Sequence, residues 1–242
     1  PSIPPDVRWM NRLSVLLVTG AVVGALALLA LWLLQRPVFA LTRITVVGDV
    51  VHNNPVTVRA NVAPRLRGNF YTLDLGQARA VFESLPWVRR AVVRREFPNR
   101  LRVTLQEHQA VAYWGSSDEP RLVNHHGEVF EANVDEVDRD DLPRLNGPDA
   151  QSAQVLAMYR RLDVHVRLLD AALESLELSA RGSWHARLDN DAAIELGTGS
   201  DDEIVQRLQR FVQTFAQVGA RYGRRADALL SADLRYPSGY AL

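Results

Sequence analysis

One uncharged stretch, Leu13–Leu34, constrains this chain more than any other feature, and its hydroxyl side chains are Ser14 and Thr19 alone. As a helix it would span roughly 33 Å, enough to cross a hydrocarbon core about 30 Å thick. Lipid offers no partner for an unpaired backbone N–H or C=O, so a single segment can cross only as a helix. We therefore predict a transmembrane helix over 13–34, preceded by an arm of residues 1–12.

The alternative for this stretch is a cleaved signal peptide. Such a peptide has an apolar region of only about 7–15 residues, so the longer run favours a retained anchor. Trp9 and Trp32 lie near the two ends, where aromatic rings favour the membrane interface. The preceding segment is short and carries Arg8 and Arg12, so we expect a cytoplasmic N-terminus and an exported C-terminal part.

The composition excludes several classes of protein. The formal net charge is zero, which argues against nucleic-acid binding, and no cysteine is available for disulfides, thiol catalysis or Cys-ligated zinc. All 28 basic residues are arginine, so the lysines of a P-loop and of penicillin-binding proteins are missing. Because the sequence begins with Pro1, we expect a segment of a longer protein, truncated at the C-terminus as well.

Residues 38–107 show the pattern of a small β-α-α-β-β domain. A strand is predicted over Leu41–Gly48 and a helix over Pro55–Val62, where proline suits the first turn. Asp74 is a candidate cap for a second helix. The apolar stripe of that helix comprises Leu75, Ala78, Phe82 and Leu85.

A hairpin closes this domain. Its first strand is predicted over Val88–Phe97, and Pro98-Asn99 turns the chain. The residues expected on one face of that strand are Ala91, Val93 and Phe97. Arg100–Glu107 then alternates strictly between apolar and polar residues. Its apolar positions, which we expect in the core, are Leu101, Val103 and Leu105.

Residues 108–242 predict a second, β-rich domain with an antiparallel or mixed sheet and two or more helices, so that the fold class is α+β. Its predicted strands are Ala110–Trp114, Leu122–Phe130 with a turn near Gly127, Leu173–Ser179, Trp184–Leu188, Ala192–Leu196 and Leu229–Tyr236. Helices are predicted over Ser152–Leu169 and from a capping box at Ser200 and Glu203 to Gly219. The acidic segment Val134–Pro148 is predicted to be a surface loop.

The last predicted strand leads into the end of the chain. Alternation places Leu230, Ala232, Leu234 and Tyr236 on one face. Pro237-Ser238-Gly239 then turns the chain into a strand that begins at Tyr240 and is left unfinished.

No pattern in the sequence indicates catalysis, a cofactor or a metal ion. His125 and His126 would point to opposite faces of a strand, where they chelate poorly. Gly197-Thr198-Gly199 precedes a helix as in nucleotide-binding folds, but the carboxylates of residues 201–203 would repel phosphate. There is also no Gly-x-Ser-x-Gly motif. We therefore expect a protein that is not an enzyme.

Arginines are dense in the hairpin strands. Solvated strand faces are the simplest interpretation, and a docking surface for an anionic partner is the alternative. The candidate docking residues are Arg89, Arg90, Arg94 and Arg95.

Two segments carry a family resemblance, FYTLDL at 70–75 and LPWVRRAVVRREFPNRLRVTLQEHQAVAYW at 85–114. They resemble the POTRA domain of the FtsQ/DivIB family of bacterial cell-division proteins. The family order, which is a short arm, one membrane helix, a POTRA domain and a β-rich domain, fits nearly the whole chain.

The resemblance implies a non-enzymatic, single-pass scaffold of the division machinery at the inner membrane and septum, with both domains in the periplasm. It implies FtsB and FtsL as partners, and further contacts with FtsK, FtsW and FtsI. One alternative is a POTRA-bearing outer-membrane assembly or secretion factor, which would need a C-terminal β-barrel. Another is a membrane-anchored cell-wall enzyme, which would need a nucleophile and a base.

The segment Leu234–Leu242 is predicted to present a sheet edge to a partner strand, since unprotected edges invite pairing. Tyr236 would anchor the partner and Arg235 would pair with its carboxylate. Arg181 resembles a second family arginine that meets an acidic partner residue. The full set of candidate binding residues is Arg181, Trp184, Leu234, Arg235, Tyr236, Ser238, Gly239 and Tyr240. The alternative is a core position for Tyr236 and solvated arginines.

The first testable prediction concerns topology. Alkaline phosphatase fused after Leu242 should be active, because only the short arm before the membrane helix stays in the cytoplasm. An inactive phosphatase together with an active cytoplasmic reporter at the same position would reverse the orientation.

Overall fold

The computed structural model describes residues 5–34, 39–48, 50–116, 119–137, 142–222, 229–236, 239 and 241. Contacts between residues divide the chain into two compact units, Pro1–Glu107 and His108–Leu242. In its described part, the first unit holds a three-stranded sheet and the second an eight-stranded sheet.

Helix α1 spans Pro5–Leu34 and includes the apolar stretch. It begins at Pro5 rather than at Leu13, so the predicted arm is helical from Pro5 onward; proline suits a first helical turn and no helix breaker follows it. The window Arg12–Leu29 has a mean hydropathy of 2.1 and is long and apolar enough to cross a membrane. The Thr19 hydroxyl donates to the Val15 carbonyl oxygen at 2.8 Å, which pairs this polar group inside the helix.

After α1, the first unit confirms the expected β-α-α-β-β order. Its elements are β1 (Arg43–Gly48), α2 (Pro55–Val62), α3 (Leu75–Glu83), β2 (Val88–Glu96) and β3 (Arg100–Glu107). Strand β3 is central, parallel to β1 and antiparallel to β2. Both helices begin at a capping side chain, since Asn54 accepts from the Val56 N–H at 2.8 Å and Asp74 from the Gly76 N–H at 2.7 Å.

The alternation of β3 matches its burial residue by residue. Leu101, Val103 and Leu105 are buried and the residues between them are exposed. Val103 and Leu105 share a core cluster with Phe82 of α3. The prediction that Phe97 lies in β2 and shares a face with Ala91 and Val93 is wrong: β2 ends at Glu96, and Phe97 lies in the following turn with 73% of its surface exposed. The alternation that placed it beside Val93 ends with the strand.

Glu107 joins the end of β3 to the loop after β1. One of its carboxylate oxygens accepts the backbone N–H groups of Val51 and His52 at 3.1 and 3.0 Å. The other accepts the backbone and side-chain N–H groups of Asn53 at 2.9 and 3.0 Å. Burial by itself would raise the pKa of Glu107, but the hydrogen bonds from His52 and Asn53 lower it below its usual value.

The second unit is one mixed sheet with two helices on one face. Its elements are β4 (Ala110–Trp114), β5 (Arg121–Asn124), β6 (Val129–Phe130), β7 (Arg144–Asn146), α4 (Ser152–Val166), β8 (Leu173–Leu178), β9 (Trp184–Leu188), β10 (Ala193–Gly197), α5 (Asp201–Tyr222) and β11 (Ser231–Asp233). The strand order is β11-β10-β9-β8-β7-β4-β5-β6. Both helices and the covered face of the sheet contribute to one hydrophobic core.

Two expectations for this unit are wrong. The segment predicted to be a surface loop contains β7, which lies between β4 and β8 and is parallel to both. Leu145, its one apolar residue, is buried in the core, and so short a strand has no periodicity to detect. Gly219 does not end α5, which continues to Tyr222. One glycine costs a helix only about 1 kcal/mol, which the packing of Phe211 and Phe215 can outweigh.

The alternation of β3 yields a stability prediction. Val103→Asp would place a charge in the core and should lower the free energy of unfolding by more than about 3 kcal/mol. Thr104→Asp, one residue along and exposed, should change it by less than about 1 kcal/mol. Urea unfolding of the full chain in detergent measures both. Equal effects of the two variants would show that the core face is assigned incorrectly.

A second stability prediction depends on pH. Glu107→Gln should cost about 2 kcal/mol at neutral pH, because an amide cannot accept all four hydrogen bonds. A lowered folded-state pKa means that ionised Glu107 stabilises the fold fully above the unfolded value of about 4.3, and that this contribution disappears as the pH falls through the lower folded value. The difference between wild type and variant should therefore shrink on acidification. Glu96→Gln, which removes an exposed ion pair to Arg102, is the matched control.

Candidate protein-docking site

The described end of the chain lies at one edge of the second sheet. Strand β11 pairs in parallel with β10 on one side. On its other side, Asp233 and Ala241 form an antiparallel bridge, with N–H to C=O distances of 2.9 and 3.2 Å. Ala241 thus occupies the edge of β11 at Asp233.

The side chains around β11 only partly follow the predicted alternation. Ala232 and Leu234 are buried as expected, whereas Leu230 is 85% and Tyr236 58% exposed. The expected shared face therefore holds for two of these four residues. The strand is regular only over 231–233. The buried residues Ala232 and Leu234 are flanked by exposed residues at 230–231 and at 235–236. Leu230 and Tyr236 thus expose apolar surface near the edge.

Arg235 is already engaged within the chain. Its Nε donates to Asp233 Oδ1 at 2.9 Å and its Nη2 to Asp233 Oδ2 at 2.6 Å. Hydrogen bonds from the Arg235 side chain and backbone lower the pKa of Asp233. A Cβ on Gly197, where φ is +79°, would lie 2.8 Å from Cγ of Arg235, so the absence of a side chain there leaves room for this arginine. A partner carboxylate would have to share or replace Asp233.

The neighbouring hairpin contributes one accessible candidate residue. Arg181 is exposed in the turn between β8 and β9. Trp184, however, is only 2% exposed and packs in the core, so its predicted contact with a partner is wrong. It occupies the covered face of β9, opposite Leu178. Gly239 is exposed, and Ser238 and Tyr240 lie outside the described residues.

A row of charged residues crosses the open face of the sheet towards this edge. The pairing register aligns Glu177, His185, Glu195 and Asp233 on successive strands β8 to β11. His185 Nδ1 lies 2.6 Å from Glu195 Oε2. No pattern in the sequence indicated this row, because its alignment depends on strand order rather than on spacing along the chain.

The candidate arginines of the first unit fall on different surfaces. Arg90 and Arg94 are exposed and lie opposite the exposed Gln106 and Arg102 on the open sheet face. Arg95 points the other way, and its Nη2 donates to the carbonyl oxygen of Leu73 at 2.6 Å. Arg89 is half-buried at a register shift at the start of β2. The four residues therefore do not form one continuous docking surface.

Two features of the second unit could suggest other chemistry, an arginine–aspartate pair and two neighbouring histidines. Arg121 binds both carboxylate oxygens of Asp149 at 2.8 Å, and Trp114 Nε1 donates to the same group at 2.8 Å. These hydrogen bonds lower the pKa of Asp149 to about 2. His125 and His126 lie in a turn rather than a strand, with ring centroids 3.8 Å apart. Among the described residues, no group of three or more His, Cys, Asp or Glu could hold a metal ion.

The capping box predicted before α5 is confirmed. The Ser200 N–H donates to Glu203 Oε2 at 2.9 Å, and the Glu203 N–H to Ser200 Oγ at 3.4 Å. Arg207 donates to the carbonyl oxygens of Leu196 and Thr198 at 2.9 and 2.8 Å. The glycine-containing loop thus serves as a helix start whose polar groups are paired within the chain.

Comparison with known proteins gives matches over both units. The family described as cell division protein FtsQ/DivIB, C-terminal, matches residues 112–235, and the FtsQ-type POTRA domain matches residues 39–108. The chain is 42% identical to the cell division protein FtsQ of Thiomonas arsenitoxydans, across 99% of this chain and 88% of that protein. It is 41% identical to FtsQ of Burkholderia pseudomallei, across 96% and 93% of the two chains. The identity to FtsQ of Bordetella pertussis is 37%, across 98% and 91%.

Proposed function

The chain belongs to the FtsQ/DivIB family of cell division proteins, and from this we propose that it is a non-enzymatic scaffold of the bacterial division machinery that binds FtsB and FtsL. In this proposal α1 crosses the inner membrane once at the septum. The N-terminus is cytoplasmic, and the POTRA domain (38–107) and the β-domain (108–242) lie in the periplasm. By binding its partners the scaffold links early and late division proteins and helps to control septal wall synthesis.

The edge of the second sheet at β11 carries this proposal. The last described residues add an antiparallel bridge outside β11, so a partner strand can extend the sheet from the segment around Ala241. Backbone hydrogen bonds would supply affinity without any pocket, and nearby side chains would set the register. Leu230 and Tyr236, both exposed beside β11, offer apolar and aromatic contact surface of the kind found in binding hot spots.

Charge would determine the orientation of the bound strand. Arg235 holds Asp233 in the unbound chain, and a partner carboxylate that displaces Asp233 would gain the same bidentate geometry. Arg181 is exposed at the end of the β8–β9 hairpin and offers a second cation. We assign Arg181, Arg235, Tyr236, Ser238, Gly239 and Tyr240 to the docking site, with Leu234 supporting it from the core.

FtsK, FtsW and FtsI are further proposed partners. They would contact the POTRA domain or α1. On the POTRA domain, Arg90 and Arg94 are exposed on the open sheet face and are candidate contacts for these partners, whereas the Arg95 side chain donates to the Leu73 carbonyl oxygen.

Capture of FtsB and FtsL by variants of the full chain in detergent tests the docking edge. Leu230→Ser and Tyr236→Ala should each weaken capture about tenfold or more, since exposed apolar anchors carry much of the binding energy. Leu168→Ser is the matched control, because Leu168 is also largely exposed but lies beyond α4. It should leave capture unchanged.

Thermal unfolding checks that all three variants remain folded, as their exposure predicts. Wild-type capture by folded Leu230→Ser and Tyr236→Ala variants would contradict the proposed edge. Capture lost equally in the Leu168→Ser control would show that the effect is not specific to β11.

A further inference from the structure

One end of the first sheet lies close to the membrane helix along the chain. Phe39 follows Leu34, the last residue of α1, by five positions, which span at most about 18 Å even when fully extended. The Phe39 carbonyl oxygen accepts the Phe70 N–H at 2.9 Å, so Phe39 belongs to the first unit's folded part. Strand β1 starts only four residues later, at Arg43. Whatever this end of the sheet exposes is therefore held within reach of the bilayer surface.

Aromatic rings are concentrated at this end. The Phe39 and Tyr71 rings meet edge to face at 5.0 Å, and Phe70 contacts Tyr71 at 5.2 Å and Phe97 at 6.1 Å. Phe70 is buried, whereas Phe97 is 73% and Tyr71 46% exposed. Aromatic rings with one exposed side are the residues that prefer the boundary between lipid and water.

Arginines surround these rings on the open face of the sheet. The register places Arg43 beside Arg100 in one row, and Arg94 beside Arg102 in the next. Arg102 is paired with Glu96 at 2.9 Å. Among the residues that the structure describes, Arg43, Arg94 and Arg100 form no ion pair, and all three are exposed.

The opposite end of the same face carries fewer arginines. There Val47, Thr104 and Val92 align, followed by Gln106 with Arg90. Positive charge on this face is thus unevenly distributed, and most of it lies at the end that the short connection to α1 keeps near the bilayer.

We propose that this end of the POTRA domain docks on the membrane itself, with Arg43, Arg94 and Arg100 on the phosphates of anionic phospholipids and Phe97 and Tyr71 at the headgroup level. Charge complementarity and the short connection to α1 identify the occupant as a bilayer surface. The docking would restrict the tilt of the POTRA domain relative to the membrane. It rests on α1 spanning the bilayer, as in the proposed function, and does not require FtsB or FtsL.

Single-site labelling of the full chain tests this docking. The sequence contains no cysteine, so Thr42→Cys places one fluorophore at the arginine-rich end and Val51→Cys places one beyond the other end of β1. Both positions are exposed. Each labelled chain is reconstituted in nanodiscs with a nitroxide on the lipid headgroups, either in phosphatidylcholine alone or with added phosphatidylglycerol. Quenching at position 42 should rise when phosphatidylglycerol is present and fall with added salt, whereas quenching at position 51 should stay low.

Variants separate docking from simple tethering. Arg43→Gln with Arg100→Gln should reduce the ratio of docked to undocked domains roughly fivefold per arginine and remove the lipid dependence at position 42. Phe97→Ser should weaken quenching at position 42 in both lipids. Arg90→Gln makes the same change at the far end of the same face and is the matched control. It should leave the quenching at position 42 unchanged.

Quenching that is equal in the two lipid mixtures, or unchanged in the double variant, would overturn the docking. FtsB and FtsL capture is measured with the same nanodiscs. Capture with lipid-independent quenching would overturn only the membrane docking, and lipid-dependent quenching without capture would overturn only the proposed partner binding.

Discussion

Each sheet in this protein buries one of its two faces, and the other features depend on that constraint. Helices α2 and α3 supply core residues against the first sheet, and α4 and α5 do so against the second. Because successive side chains of a strand point to opposite faces, a strand with one covered face alternates between core and solvent. Strand β3 does so without exception. The charged rows of the two sheets lie on the faces that no helix covers in the part of the chain that the structure describes.

The open part of each sheet offers edges and charged surfaces, and this shapes the function that the fold can support. Asp149, a carboxylate that might have indicated other chemistry, is paired with Arg121. The surfaces that the proposals use are backbone at the β11 edge, the exposed side chains Leu230 and Tyr236, and arginines on the first sheet. These are means of holding other molecules, which suits a member of a family of division proteins.

Local signals predicted the elements well, because each depends on residues close together in the chain. The caps at Asp74 and Ser200 and the alternation of β3 are all confirmed. Family resemblance added the assignment of the two domains to a known type. Errors arose where a local signal was weak: β7 has a single buried side chain, and Gly219 resembles a helix end although the packed helix continues through it.

The candidate site was predictable only in part, for a related reason. The sequence alone determined the apolar stretch of α1, most of the element types and a strand near the end of the chain, since hydropathy, periodicity and turn residues act over a few positions. Tertiary structure decided that Trp184 is core, that Leu230 is exposed, that Arg235 binds Asp233 beside Gly197, and that Arg43 and Arg100 are neighbours. Those outcomes depend on which strands pair and in which register, and pairing between distant segments is set by burial of the whole sheet face rather than by any local pattern.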